Sequence, residues 1–549
     1  MEGQASTMLH PFIFLLFVIP LSSPNLMTPN PLKYGCQPGK PKECGKAPFV
    51  PGHTLLGEGL DIVTMKRTGA FLLDLQTYQK KNKTCTLCKN IHRKNALEKI
   101  PIAMVDWRPE TSCSRSITGS ISHSKVSLAN QETSSITNDW RAGLDVSDPV
   151  NKVSVASAGS HSRMAEFAET KTITDKYEFL STELQCSYYS FRLSLDAPLS
   201  PDFVKALRQL PASYNKEDYR SLISTYGTHY ITQAKIGGRI KEVTAVQTCQ
   251  VAMNSLKMSD MKDCLELEAA ATTKVKTEDV SADMSMNLCM EKAKNLTQGN
   301  SFRTTFNERM FEVKGGKATF NLFDEKSGGK PEEFSAWMES LKTIPDLVAF
   351  SLSPIHNLVR LNGPQKNNVK KAVSDYINEK ALRMKCSCSG NSHPSRNGDC
   401  SCVCPATKYS NSECCPTNKG LAHLTLYVDS ATGLYGDYFG KSDAYVKFKF
   451  DRHEERSKTV WNNDNPVWKE DYNIGMVELT SVKKFTIEVW DQDYGYDDDL
   501  LGKCSGPLTS GFNKKTCNLN DGSFSYSLNV TCVTHLRGDF CQDYSPVPP

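Results

Sequence analysis

At 549 residues the chain is too long for a single hydrophobic core, so roughly two to four domains are expected. Its 65 Lys and Arg against 61 Asp and Glu leave a formal charge of +4, which argues against a nucleic-acid binder. Its 20 cysteines, many in close clusters, point to an oxidising compartment.

Pro11 to Leu21 is a short apolar run followed by Ser22, Ser23 and Pro24. It has the length of a signal-peptide core and is too short to span a bilayer, so residues 1–23 read as a signal peptide. Lys and Arg are absent ahead of the run, and Met8 is an alternative start. No later apolar run reaches the roughly eighteen residues that a membrane helix needs. The mature chain is therefore expected to be secreted, and any entry into a membrane would use strands or surface contacts. Sequons at Asn82 and Asn529 are candidate glycan sites, with a third at Asn295 left open.

Cys36, Cys44, Cys85 and Cys88 suggest a small loop region tied by two bridges. Trp140, Ala142, Leu144 and Val146 alternate with polar residues and predict a strand. Asn151 to Gln185 is polar and weakly helical, and the period returns to two at Tyr189, Phe191, Leu193 and Leu195. Pro201 to Tyr219 predicts a helix, with Phe203, Leu207 and Leu210 on one face. Then comes Tyr219, six residues, and Tyr226-Gly227-Thr228-His229-Tyr230, followed by an alternating run to Ile236 and the pair Gly237-Gly238. The run predicts a strand, and the glycines mark a bend or a close approach of backbone.

This pattern resembles the signature of the membrane-attack-complex/perforin family. The resemblance implies a bent four-stranded sheet that opens two helical clusters into membrane-spanning hairpins. It makes Gly237 and Gly238 the hinge, pairs Cys113 with Cys186, and places the first stored hairpin in the polar segment before Tyr189. The second falls on Leu265 to Met290. There Leu265, Leu267, Ala269, Ala271, Thr273 and Val275 alternate with polar residues; after Thr277-Glu278-Asp279 so do Val280, Ala282, Met284, Met286, Leu288 and Met290. Each run has about the ten residues a tilted membrane strand requires. Ala, Glu, Lys, Leu and Met are also good helix formers, so the segment has helical propensity under a strand pattern.

Ser301 to Lys330 predicts returning strands around Phe302, Phe306, Val313 and Phe320–Phe323, and Pro331 to Lys385 predicts helices. Cys386, Cys388, Cys400, Cys402, Cys404, Cys414 and Cys415 crowd a segment with no core of its own. It resembles a degenerate epidermal-growth-factor-like module, with a zinc site as the alternative. Seven is odd, as is the upstream set Cys249, Cys264 and Cys289. A bridge from Cys249 into the module, with Cys264 joined to Cys289, would balance both.

From Leu421 the runs LAHLTLYV, DAYVKFKF and KKFTIEVW predict a β-sandwich. Aspartates lie at their ends: Asp437 and Asp443, then Asp491, Asp493, Asp498 and Asp499. The spacing resembles the calcium loops of a C2 domain. Calcium takes six to eight hard oxygen ligands, which short carboxylates on adjacent loops supply. Tyr435, Tyr438, Tyr494 and Tyr496 interleave with the acids, and tyrosine suits the headgroup level of a bilayer. Cys504 with Cys517, and Cys532 with Cys541, are expected to tie the end of the sandwich.

The expected fold is α+β: a bent antiparallel sheet flanked by helical clusters, as in this family and the cholesterol-dependent cytolysins (33–385). A disulfide-rich epidermal-growth-factor-like linker (386–415) and an all-β C2 sandwich (416–541, with an extension to 549) follow. By resemblance the chain is a calcium-dependent pore former that docks on a target-cell bilayer, assembles into a ring with itself and inserts hairpins. It would reside in cytolytic granules and deliver granule proteases. The competing readings are a calcium-dependent membrane binder that never perforates, and a secreted enzyme using His229, His161 or His423. No nucleophile elbow, paired metal motif or phosphate loop supports the enzyme.

Overall fold

The computed structural model describes residues 35–110, 116–146, 154–156, 158–292, 294, 305–324, 326, 328–360, 363–381, 383–385, 388, 392–436, 438, 440–495 and 497–547. The expected signal peptide, Cys113, Asn295, Cys386, Asp437 and Tyr496 lie outside them.

The body of the N-terminal part is a nine-stranded sheet. Its strands are β1 (Glu58–Asp61), β2 (Lys66–Phe71), β3 (Met104–Pro109), β4 (Ser116–Ser122), β5 (Tyr177–Leu193), β6 (His229–Gln247), β7 (Lys276–Thr277), β8 (Arg309–Lys314) and β9 (Asp346–Pro354). The two central strands, β5 and β6, run 17 and 19 residues, well beyond the usual strand of about five or six. They pair antiparallel along nearly their whole length, from Gln233↔Arg192 to Gln247↔Tyr177. Each changes its outer partner midway. β5 is flanked by β3 near Tyr189 and by β4 near Glu183. β6 is flanked by β9 from His229 to Gly237 and by β8 from Arg239 to Thr244. The sheet thus has two halves sharing two long strands.

Gly237 and Gly238 stand where these halves join. The strand does not break there, but its register with β5 shifts between Ile236 and Gly237, and a bulge of this kind bends a strand and raises its twist. A Cβ on Gly237 would lie 1.9 Å from the Cys186 carbonyl oxygen, and one on Gly238 would meet Leu341 and Trp337 at 2.5–2.6 Å. Only glycine lets the strand pass so close to its neighbours.

Helices bury the sheet. They are α1 (Lys125–Glu132), α2 (Arg163–Thr172), α3 (Pro201–Gln209), α4 (Lys216–Tyr226), α5 (Met258–Thr273), α6 (Met286–Lys292), α7 (Pro331–Ser340) and α8 (Gln365–Lys380). The main core gathers Trp107, Tyr189, Phe203, Tyr219, Ile231, Ile236, Trp337 and Ile377. A satellite core holds Leu180, Val246, Met261, Cys264, Leu265 and Cys289.

Several local expectations are corrected. Trp140–Val146 is a run of turns, not a strand: Asp139 accepts the Arg141 amide at 3.0 Å and Gly143 sits at φ +81°, and such Asx-turn chemistry overrides alternation. The expected helix 201–219 is two helices, interrupted after Leu210, with Asn215 accepting the amides of Glu217 and Asp218 to start α4. Tyr219 and Tyr226 of the signature therefore lie on a helix, and only His229 and Tyr230 on the strand. Returning strand structure between 301 and 330 is confined, among described residues, to β8; Phe320–Phe323 forms none. The expected helical stretch 331–385 contains β9, whose burial alternates.

Leu265–Met290 is also not a pair of strands in this state. It forms α5, the two residues of β7, and α6. Leu265 is buried against Leu180 and Val246, with Leu267 and Met284 at the margin of the same cluster, while Val275 packs on the main core. Val280, Met286 and Leu288 are half-buried. The helix formers decide the local structure, and the Cys264–Cys289 bridge clips α5 to α6.

The cysteine arithmetic holds. Cys36 joins Cys88 and Cys44 joins Cys85. Cys249 reaches Cys415 in the linker, whose internal bridges include Cys388–Cys402 and Cys404–Cys414. Cys186 is disulfide-bonded. Cys504–Cys517 and Cys532–Cys541 close the C-terminal part.

That part is a sandwich of two four-stranded antiparallel sheets. One holds β10 (Leu421–Thr432), β13 (Val467–Glu478), β16 (Gly511–Asn518) and β17 (Ser523–Cys532); the other β11 (Ala444–Phe450), β12 (His453–Arg456), β14 (Lys484–Asp491) and β15 (Asp499–Pro507). Leu424, Leu426, Phe448, Ile487 and Phe524 are among the inward residues that fill the space between them.

Candidate functional site

The acidic tip is built by strand register. β14 lies between β11 and β15, and Asp491 at its end pairs with Ala444 on one side and Asp499 on the other. Asp443, one residue before Ala444, donates its backbone N–H to Asp491 Oδ1 at 2.5 Å. Adjacent strand ends thus bring Asp443, Asp491 and Asp499 to one edge. Asp491 is 1% exposed. Asp498 accepts the Tyr445 hydroxyl at 2.7 Å and the Asp493 amide at 3.2 Å. The Tyr445 hydrogen bond holds the Asp498 carboxyl below its ordinary range, so it is ionised near neutrality. Among the described residues no three acidic, His or Cys side chains close around a single point. The donor set is nevertheless the hard, all-carboxylate kind that suits calcium.

Aromatics crown this edge. Tyr435 and Tyr438 are 61% and 89% exposed, and Tyr494 is fully exposed. Sequence reasoning missed a fourth, Trp461, which is 62% exposed. Its loop is laced to the acidic edge: the Asn462 amide donates to Asp443 Oδ1 at 2.6 Å, and the Ser442 amide to Asp464 Oδ1 at 3.1 Å. The available signal was a Trp in an Asn/Asp-rich turn, VWNNDNP.

The signature histidine is buried and bound at both ring nitrogens. Nε2 lies 2.8 Å from the Trp140 carbonyl and Nδ1 2.8 Å from Thr228 Oγ1. Burial pushes its pKa down to about 4, opposed by the Trp140 carbonyl and assisted by nearby His356. The neutral ring donates to Trp140 and accepts from Thr228, whose oxygen also takes the Ile62 amide at 3.0 Å. Thr228 and His229 thereby fasten β6 to the end of β1 and to the Trp140 turn. Gly227, at φ +75°, has the backbone of Leu60 within 2.7 Å of any added Cβ. Tyr226 packs edge-on against Phe203, and the Tyr219 hydroxyl donates to the Pro211 carbonyl at 2.7 Å. These are structural roles. His161 is exposed beside Ser160, and His423 is exposed on β10.

Of the candidate glycan sites, Asn82 is exposed in a turn, its Oδ1 accepting the Thr84 hydroxyl at 2.6 Å. Asn529 is half-buried on β17, between Thr425 and Phe512. Among the described residues no helix is long and apolar enough to cross a membrane, which says nothing of crossing by strands.

Residues 48–385 match the MAC/Perforin domain and residues 422–521 the C2 domain. Perforin-1 of Mus musculus is 40% identical over 95% of both chains, and Perforin-1 of Homo sapiens is 39% identical over 93% of both. The domain pair and these relatives make the protein a calcium-dependent, pore-forming cytolysin, a class whose members are not typically enzymes. The chain belongs to the MAC/Perforin family.

Proposed function

We propose that the protein docks on a target-cell bilayer through the C2 tip, assembles with copies of itself into a ring, and inserts its two helical clusters as β-hairpins. The observation that carries this reading is the alignment of Asp443, Asp491 and Asp499 at a tip ringed by exposed aromatics. Asp437, Asp443, Asp491, Asp493, Asp498 and Asp499 would hold calcium. Bound calcium supplies positive charge that cancels carboxylate repulsion and stiffens the loops. Tyr435, Tyr438, Tyr494, Tyr496 and Trp461 then meet the headgroup layer, where amphipathic rings are favoured.

Insertion would use the segment between β4 and β5 and that between β6 and β8. Leu265, Leu267, Val275, Val280, Met284, Met286 and Leu288 would face lipid in the second hairpin. Gly237 and Gly238, at the junction of the sheet's halves, would be the hinge. Glycans at Asn82 and Asn529, storage in cytolytic granules and delivery of granule proteases complete the proposal.

The test is dye release from vesicles, with and without calcium. Calcium-dependent release, lost in Asp491→Ala together with binding, supports the reading. Calcium-dependent binding without release would instead favour a membrane binder that does not perforate.

A further inference from the structure

On the outer face of the C2 sandwich, strand register sets a sequon beside an uncovered aromatic pair. β17 lies between β10 and β16. Its residues Phe524, Tyr526, Leu528 and Val530 fill the core, so Ser525, Ser527, Asn529 and Thr531 alternate onto the outer face. Asn529 pairs with Thr425 on one side and Phe512 on the other, and Ser527 pairs with Tyr427 and Lys514. Phe512 is therefore the direct cross-strand neighbour of Asn529, and Tyr427 its diagonal neighbour. Both positions are within reach of a large side chain.

The two rings meet above β17, their centroids 6.3 Å apart. Ser527, between them, is buried although it belongs to the outer face. The rings themselves are open: Phe512 is 65% exposed and Tyr427 37%. Singly exposed rings need no explanation, but two that meet on a sheet face form a patch that marks an interaction. The patch stands apart from the calcium tip. Ser523, paired with Thr432, begins β17 at the tip end, and Asn529 follows 529 − 523 = 6 residues later. At about 3.3 Å per residue that is about 20 Å back from the tip, on a face turned aside from it. The tip aromatics have a headgroup layer to meet; this pair does not.

The occupant that the chain itself supplies is a sugar. Asn529-Val530-Thr531 is a sequon, and its Asn and Thr share the outer face with both rings. The first N-acetylglucosamine of a glycan there would leave Asn529 between Phe512 and Tyr427. One face of a pyranose ring presents axial hydrogens from alternate carbons, with the hydroxyls around the rim. That face matches an aromatic ring in size, and its C–H groups meet the negative π-face. The tether makes the contact intramolecular, so a weak interaction suffices. We propose that Phe512 and Tyr427 are a platform for the first N-acetylglucosamine on Asn529, which covers the aromatic pair and braces the edge strand β16 against β17. The inference rests on the Asn529 glycan of the proposed function.

The test is a cycle of variants of the full chain, secreted from animal cells whose glycan processing is arrested at the high-mannose stage. Peptide mass spectrometry reads the occupancy of Asn529. Amide hydrogen exchange over residues 511–518 then compares the unmodified chain, Thr531→Ala, Phe512→Ala and the double variant. Phe512 is mostly exposed, so its loss leaves the core intact; Tyr427→Ala replaces it should exchange rise throughout the sandwich. Asn82→Gln, which removes the other sequon, is the control. With Phe512 present the glycan is expected to slow exchange in β16 about threefold, the size of one good cross-strand pair. Without Phe512 it should have no effect. Endoglycosidase trimming to a single N-acetylglucosamine should preserve the slowing. Equal slowing in both backgrounds, or its loss on trimming, would overturn the proposal. Dimerisation of Thr531→Ala that needs Phe512, with no ring-dependent slowing in the glycosylated chain, would give the patch to a second copy instead. An unoccupied Asn529 would sink the glycan assignment and this inference with it, whereas an occupied Asn529 without ring dependence would overturn this inference alone.

Discussion

Replacing Gly237 by Ala tests what the glycine pair does. The added Cβ would stand 1.9 Å from the Cys186 carbonyl oxygen, a backbone atom of the strand paired with β6. An ordinary contact needs about 3.2–3.4 Å, so two hydrogen-bonded strands must part by more than an ångström or the register must slip. Overpacking of this kind costs about 1–3 kcal/mol, and the upper end applies because the obstacle is backbone. Alanine recovers about 0.4–1 kcal/mol through the unfolded chain, leaving about 2 kcal/mol of destabilisation. The domain match spans residues 48–385, which is 385 − 48 + 1 = 338 residues. At about 2.1 cal/mol/K per residue its unfolding entropy is about 0.7 kcal/mol/K, so Tm should fall by about 3 °C. Gly45→Ala is the control, because its Cβ meets nothing within 4 Å and it sits in a helix. Thermal unfolding followed by circular dichroism measures both. Equal Tm values for Gly237→Ala and the unmodified chain would refute the close-approach account.

Three further predictions follow from the geometry. Glu132 on α1 ion-pairs at 2.6 Å with the fully buried Lys241 of β6; Glu132→Ala should cost about 3–5 kcal/mol in chemical denaturation, because it strands a buried charge, whereas Glu132→Leu with Lys241→Met should cost far less. His229 has a depressed pKa, so the unfolded chain binds its proton more readily and stability falls with acid from about pH 6.5 toward 4. Between pH 6.5 and pH 5 the loss from this residue is about 1.6 kcal/mol, less than the full 1.36 kcal/mol per unit because the unfolded ring is only half protonated at pH 6.5, and His229→Gln should flatten that part of the denaturation-midpoint profile. Trp461→Ala should weaken calcium-dependent vesicle binding about tenfold, the expected loss of one well-buried aromatic; unaltered binding would remove Trp461 from the docking surface.

The sequence was most readable where one local signal acted alone. The C2 strands alternate cleanly because each has one face on the core, so their ends, and the aspartates on them, could be placed. The bridges Cys249–Cys415 and Cys264–Cys289 were within reach because two odd groups of cysteines had to balance. What was hidden depended on tertiary context. Period two in Leu265–Met290 is real, yet α5 forms there because its residues favour helix and Leu265 can bury against Leu180 and Val246. β9 was masked by helical stretches on both sides, although its burial alternates as a strand's should. Trp461 escaped notice because exposure at a tip is a property of the folded loops, fixed by contacts such as Asn462 to Asp443.

Calcium at the C2 tip is expected to lead to a membrane pore. Electron microscopy of vesicles after incubation with the protein, paired with dye release on the same samples, is the decisive test. Rings and release should appear with calcium and be absent both without it and in Asp491→Ala. Vesicles densely coated with protein in calcium, yet ringless and still retaining their dye, would contradict the claim.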